Sequence, residues 1–451
     1  MTYEVLLAAT FLVILLSVLA AYDGSRDVFH PLVFIGPMMA FIYVWMPFKL
    51  LRAGDIYNFF DSQQLIEVQA INLLGVSAFA FGCLGAGVRK PKVRPAGIAN
   101  SRHTAKRLVV GGIVSGGLGL VAWLTLIIHS GGPMQAFGTA YSGGWDDSGY
   151  IRDGSILLLA GVLLILGAVG IDRMRAWYAA LLFVFTMPWL TQAILTSRRG
   201  PTFALFAVWG MGWFLNKGKR PPVIATCLSG LAIGWLVLFL VTNRHSIYLG
   251  SDKSFTTDVS AITDTPDTGN EYIYGSGSLL AARRAEKHFW GRRYAAQLLI
   301  RPIPSSIWPT KYQDFGVPEL LENAGTGEGI TETMGWVGAP GSAPGIIADL
   351  WIEFTWLAIP VLALFGWCYG RCWRNAIGKG RQWIAQYAIL SALSIYLVMQ
   401  TMEAVIFRLA LLSIPIWLGW KWAQHRKRRR ASRAEVAEAA FARSEFVRPA
   451  L

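Results

Sequence analysis

The sequence has little charge and few cysteines for its length. Only 15% of its 451 residues are charged, whereas soluble globular chains carry about 25%. The positive mean hydropathy of +0.43 also indicates a chain too apolar for a soluble globular protein. The four cysteines lie in or beside apolar runs, so no disulfide is expected. Cys368 and Cys372 lack the further His or Cys that a metal site needs, and no metal is predicted.

Long apolar runs dominate the chain. Runs of roughly 17 to 25 residues can cross a hydrocarbon core of about 30 Å. They start near residues 4, 30, 67, 108, 154, 177, 201, 223, 344, 384 and 404. We therefore expect an all-α integral membrane protein with about 11 transmembrane helices. The first run has no basic segment before it and no small-residue cleavage site after it, so it is expected to remain as a helix.

The chain divides into four parts on this pattern. Helices 1 to 8 occupy residues 1–242, and one large loop follows. Helices 9 to 11 occupy residues 344–423, and a basic tail ends the sequence. The loop comprises residues 243–343 and the tail residues 424–451.

Lys and Arg in short loops mark the cytoplasmic side of a membrane protein. The basic segments all share one side when the spans alternate: residues 89–107, 172–175, 217–220, 371–381 and 425–430. The N-terminus is then periplasmic, the C-terminus cytoplasmic and the large loop extracytoplasmic. The basic tail is expected to meet anionic membrane lipid and not nucleic acid.

The large loop is where function is expected, because connections of this length are uncommon unless they have a role. Residues 276–300 mix Leu, Phe and Trp with Arg, which predicts an amphipathic helix in the membrane interface. The segment RPIPSSIWPTK at 301–311 is stiffened by three prolines. The glycine-rich residues 323–345 lack the Lys-Ser/Thr pair of a P-loop and are expected to move as a flap.

Arginines on the outer side indicate an anionic ligand whose tail stays in lipid, such as a polyprenyl pyrophosphate. The planar guanidinium grips phosphate oxygens bidentately and keeps its charge. The SRRG turn at 197–200 places Arg198 and Arg199 outside, and the prolines fix Arg301 and Lys311. An alternative is that interfacial arginines only anchor loops to lipid headgroups. This alternative stays open for Arg283, Arg284, Arg292 and Arg293.

Carboxylates near span ends are candidates for proton transfer. Asp349 and Glu353 lie one helical turn apart on the same face, so one could act as a general base. An ion pair of Glu353 or Glu403 with Arg408 is the competing interpretation. His245 and His288 are alternative bases. Trp145 and Trp308 are aromatic candidates for substrate binding.

The order of these motifs resembles the Wzy-type O-antigen polymerases, the oligosaccharide repeat unit polymerase family of bacterial envelopes. The SRRG turn, the RPIPSSIWPTK segment and GSAPGIIADLWIEFTWLAIPVLALFGWCYGR carry the resemblance, mainly over residues 196–370. It implies a GT-C-like glycosyltransferase of the bacterial inner membrane that needs no metal or cofactor. Its substrates would be undecaprenyl-pyrophosphate oligosaccharides as donor and acceptor, and a chain-length regulator protein is a further candidate partner.

The residue patterns give the candidate roles, and the resemblance adds that the outer arginines bind the pyrophosphate and stabilise its departure. Those for catalysis are Arg199, Arg301, Asp349 and Glu353. Those for substrate binding are Arg198, Arg283, Arg284, His288, Lys311, Trp145 and Trp308. Three other functions stay open: an O-antigen ligase, a polyprenyl-phosphate-sugar glycosyltransferase with inverted topology, and a polysaccharide-unit flippase, which is not an enzyme.

Overall fold

A computed structural model describes residues 2–88, 102–139, 149–197, 199–259, 271–286, 288–316 and 343–445 of the chain. In chain order its main helices are α1 (Tyr3–Ser25), α2 (Pro31–Ala53), α3 (Ser62–Gly85), α4 (Arg102–His129), α5 (Ile151–Ile171), α6 (Ala176–Leu195), α7 (Arg199–Asn216), α8 (Val223–Thr242), α9 (Glu271–Ala285), α10 (Arg292–Ala295), α11 (Gly345–Gly378), α12 (Arg381–Met399) and α13 (Met402–Glu445), whose membrane-spanning part is Val405–Gln424.

Ten of these helices are long and apolar enough to cross a membrane. The all-α, multi-pass architecture expected from hydropathy is therefore confirmed for the described residues. The expected count was about 11, and α7 accounts for the difference. It begins with Arg199 and ends with Asn216, and these polar ends leave too short an apolar stretch. It packs against α5, α6 and α12 inside the bundle.

Glycines let pairs of spans cross with their backbones in contact. A Cβ added at Gly82 of α3 would lie 1.9 Å from the carbonyl oxygen of Ala363 in α11. At Gly161 of α5 it would lie 2.7 Å from Cα of Gly116 in α4. Small residues at such crossings permit the close van der Waals packing on which helix association in lipid depends. The two crossings help to fix the positions of α5 and α11, which carry site residues.

Helix α9 lies inside the protein. Residues 271–282 are all buried, and the helix packs along the start of α11. Tyr272 makes a hydrogen bond between its hydroxyl and that of Tyr3, 2.9 Å away, and donates to Oε1 of Gln69 at 3.2 Å. These bonds tie the loop helix to α1 and α3.

The expectation of one interfacial helix over residues 276–300 is wrong in two respects. Its first part is buried in protein, and the helix stops at Ala285. Glu286, Trp290 and Gly291 have φ of 50°, 53° and 83°, and this left-handed backbone ends the helix and turns the chain. Helix α10 then starts at Arg292 and continues as the π-helix Ala296–Ile300.

Candidate active site

Arg293 in α10 is the centre of a buried ionic network. Its side chain is 3% exposed; Nε lies 2.5 Å from Oε1 of Glu353, and Nη2 lies 2.7 Å from Oδ1 of Asp349. Both carboxylates are fully buried on α11, one helical turn apart. The network satisfies the rule that buried charges are tolerated when they are paired and hydrogen-bonded. The predicted pairing of Asp349 and Glu353 on one helix face is confirmed.

The remaining oxygens of both carboxylates also accept hydrogen bonds. Oδ2 of Asp349 accepts from the Tyr294 hydroxyl at 2.7 Å and from the Met402 backbone N–H at 2.9 Å. Oε2 of Glu353 accepts from the Gly291 N–H at 2.6 Å. Burial, together with the Asp349 charge, raises the pKa of Tyr294, so this hydroxyl remains a donor. With every oxygen occupied, these carboxylates are suited to hold Arg293 and less suited to accept a proton.

The backbone around Glu353 is strained. Trp290, which has φ of 53°, donates its N–H to the Glu353 carbonyl oxygen at 2.8 Å. Thr355 has φ of 47° and interrupts α11 two residues after Glu353. Non-glycine residues in the left-handed region cost free energy and cluster at functional sites. The strained backbone therefore identifies this region as a candidate functional site independently of its charges.

Glu403 differs from the other two carboxylates. It lies in the first turn of α13, is 18% exposed, and has Oε1 3.8 Å from Nε of Arg293. Burial raises the pKa of Glu403 to about 7, and the charges of Arg293, Asp349, Glu353 and Arg301 also act on it. A carboxyl group with a pKa near neutrality is suited to accept and release a proton.

Arg301 lies at the same edge of the network. Its guanidinium pairs with Asp153 of α5, donates from Nη1 to Oε1 of Gln297 at 3.0 Å, and lies 4.7 Å from the Phe407 ring of α13. It is 24% exposed. We call six residues the charged cluster: Asp153, Arg293, Arg301, Asp349, Glu353 and Glu403. Arg301 and Glu403 are its most exposed members, so a ligand would meet them first.

Two further predicted cations pair with carboxylates of other segments. Arg199 forms an ion pair with Glu271, the first residue of α9. Arg283, near the end of α9, pairs with Glu67 of α3. Arg284 is exposed. The pairs of Arg199 and Arg283 hold both ends of α9, and their predicted contact with a phosphate stays a prediction.

Other predicted site residues have local partners. Lys311 is almost wholly buried and donates from Nζ to the carbonyl oxygens of Arg301 and Ile303. Nδ1 of His288 lies 3.3 Å from the Ile352 carbonyl oxygen. Trp308 donates from Nε1 to Oδ2 of Asp314 at 2.5 Å. Arg198, Trp145 and most of the glycine-rich segment 323–345 lie outside the described residues.

Sequence reasoning missed two members of the cluster and gave a third, Glu403, no role of its own. It treated Arg293 as one of four equivalent interfacial arginines, and no local pattern separates Arg293 from Arg292. It did not consider Asp153 as the partner of Arg301. Glu403 was among the carboxylates near span ends but was given no role of its own, and the competing interpretation paired it with Arg408, which lies over the Tyr396 ring at 4.7 Å. The position of Glu403 at the start of the last apolar helix was the signal that could have singled it out.

Among the described side chains, no group of three His, Cys, Asp or Glu is arranged to hold a metal ion. The carboxylates of the cluster surround Arg293 instead. No protein-family model, curated protein or solved structure matches the chain.

Proposed function

We propose that this chain is a membrane glycosyltransferase that polymerises undecaprenyl-pyrophosphate-linked oligosaccharide repeat units into O-antigen or a related surface polysaccharide. The carrying observation is that Arg301 lies over the ring of Phe407, one helical turn after Glu403, so that the two most exposed members of the charged cluster lie at the start of the same helix. Glycosyl transfer from a pyrophosphate needs a proton acceptor and a cation at one place, and these residues supply both. The topology expected from the basic loops places this edge at the outer face of the bacterial inner membrane.

The reaction assigns one task to each residue. A hydroxyl of the acceptor attacks the anomeric carbon of the donor, and the bond from that carbon to the pyrophosphate oxygen breaks. Glu403 takes the proton of the attacking hydroxyl, and undecaprenyl pyrophosphate leaves. Arg301 stabilises the negative charge that grows on the leaving oxygen, the kind of electrostatic contribution that is usually the largest in such reactions.

The buried part of the cluster supports the two reacting groups. Asp349 and Glu353 hold Arg293 rigidly, and Arg293 in turn faces Glu403. Burial opposes the charge of Arg293, yet the three carboxylates around it raise its pKa overall, so it stays cationic. The fixed positive charge of Arg293 lowers the pKa of Glu403 and so opposes the effect of burial, which lets Glu403 ionise near neutral pH.

The test is elongation by the purified protein in lipid vesicles. Supplied with an undecaprenyl-pyrophosphate repeat unit, the wild-type protein should produce a ladder of longer lipid-linked products. Glu403→Gln should abolish the ladder, whereas Glu286→Gln, at an exposed position of the large loop 243–343, should not. Transfer to lipid A core without chain growth would identify a ligase. Movement of intact units across the vesicle membrane without chain growth would identify a flippase.

A further inference from the structure

The segment 301–316, which we call the Arg301 loop, contains a buried lysine outside the membrane spans. Lys311 is 1% exposed. Burial of an ammonium group is costly unless the charge is compensated by hydrogen bonds. Here Nζ donates to the carbonyl oxygen of Arg301 at 3.3 Å and to that of Ile303, and it lies 4.7 Å from the Tyr312 ring.

Both carbonyl groups belong to the first residues of the loop, so the Lys311 ammonium closes the loop on itself. A second closure lies within the same loop on its exposed side, where Oδ2 of Asp314 accepts from Trp308 Nε1 at 2.5 Å and from the Thr310 hydroxyl at 2.7 Å. These two bonds lower the pKa of Asp314, which therefore stays ionised and able to hold them. The closures and the three prolines leave the Arg301 backbone few alternative conformations.

We propose that Lys311 is a positioning residue that holds the Arg301 backbone so that the guanidinium stays between Asp153 and the Phe407 ring, beside Glu403. This inference extends the proposed function and rests on it for the role of Arg301. The geometry speaks against Lys311 as a phosphate ligand, because its side chain is buried and its ammonium is directed to carbonyl oxygens. Lys311, which the sequence suggested as a ligand of the phosphate, thus acts through Arg301.

The first test needs no substrate. Lys311→Met removes the ammonium but keeps an unbranched stem of similar length, and Lys253→Met is the control at an exposed lysine. Hydrogen exchange of the backbone over residues 301–316 should be about tenfold faster in Lys311→Met, because local opening becomes easier. The control should match the wild-type protein. Equal exchange in Lys311→Met and wild type would overturn the proposal.

Two milder substitutions keep the test informative if Lys311→Met does not fold. Lys311→Gln retains an N–H that can reach a carbonyl oxygen, and Lys311→Arg retains the cation. Exchange should increase in the order wild type, Lys311→Arg, Lys311→Gln, Lys311→Met. A series without this order would mean that the ammonium does not hold the loop.

The second test asks whether Lys311 acts through Arg301. Displacement of a reacting group costs about 100-fold in rate, so Lys311→Met should lower kcat/KM for elongation to that extent. The double variant Lys311→Met/Arg301→Lys should be no less active than Arg301→Lys alone, since coupled sites are not additive. If the double variant instead lost activity by the product of the two single losses, the proposal would be overturned. If the wild-type protein elongates nothing, the proposed function fails, while the exchange experiment still decides the role of Lys311.

Discussion

Replacement of Glu403 by Gln should affect activity and stability in opposite directions. In the folded protein burial raises the pKa of Glu403 to about 7 from its ordinary value of 4.5. The folded state therefore binds this proton more tightly than the unfolded chain does. The resulting stabilisation is fully present below pH 4.5 and is lost as the pH rises through about 7. Gln resembles the protonated side chain at every pH and does not suffer this loss.

The size of the effect follows from the two pKa values. Each pKa unit corresponds to about 1.4 kcal/mol, so full ionisation of Glu403 costs the folded wild-type protein about 3 kcal/mol. At pH 9 we expect Glu403→Gln to be more stable than wild type by about this amount, and at pH 4 to be nearly equal to it. Activity should behave differently. Without its proton acceptor the variant should lose about 10²- to 10⁴-fold in rate.

The assay compares unfolding and elongation of the same detergent-purified proteins across this pH range. Wild-type elongation should rise as the pH increases through about 7, because only the ionised form of Glu403 accepts a proton. Glu286→Gln is the matched control and should change neither curve. An active Glu403→Gln variant would remove Glu403 from the mechanism. A stability difference that is the same at pH 4 and pH 9 would refute the argument from burial.

Three further substitutions test other parts of the structure. Arg301→Lys keeps the charge but loses the bidentate fork, so elongation should fall by about 100-fold. Arg283→Lys should have little effect. The reverse result would place the phosphate site at α9. Arg293→Met leaves two buried carboxylates without their cation and should destabilise the protein by about 3 to 5 kcal/mol in denaturation measurements. Gly366→Ala places a Cβ 2.1 Å from a backbone oxygen of α3 and should lower the melting temperature, whereas Gly378→Ala, with nothing within 4 Å, should not.

The sequence predicted the features that depend on local periodicity. Hydropathy identified the ten spans, because a segment that crosses lipid must be apolar over its whole length. Helical spacing placed Asp349 and Glu353 on one face. The partner of these residues could not be predicted, because Arg293 reaches them through a turn at Trp290 that no sequence pattern encodes. Lys311 shows the same limit, since a sequence displays a charge but not whether it is buried.

In the proposed reaction, the composition of the charged cluster would couple proton transfer to departure of the leaving group. The cluster contains four carboxylates and two guanidinium groups, so it carries excess negative charge when Glu403 is ionised. This excess opposes an additional anion near Arg301. Under the proposed reaction, Glu403 becomes neutral when it takes the acceptor proton, while negative charge develops on the pyrophosphate. The attraction of Arg301 is then no longer shared with ionised Glu403 and is directed at the leaving group. One proton transfer thus activates the nucleophile and strengthens the stabilisation of the charge that its attack creates.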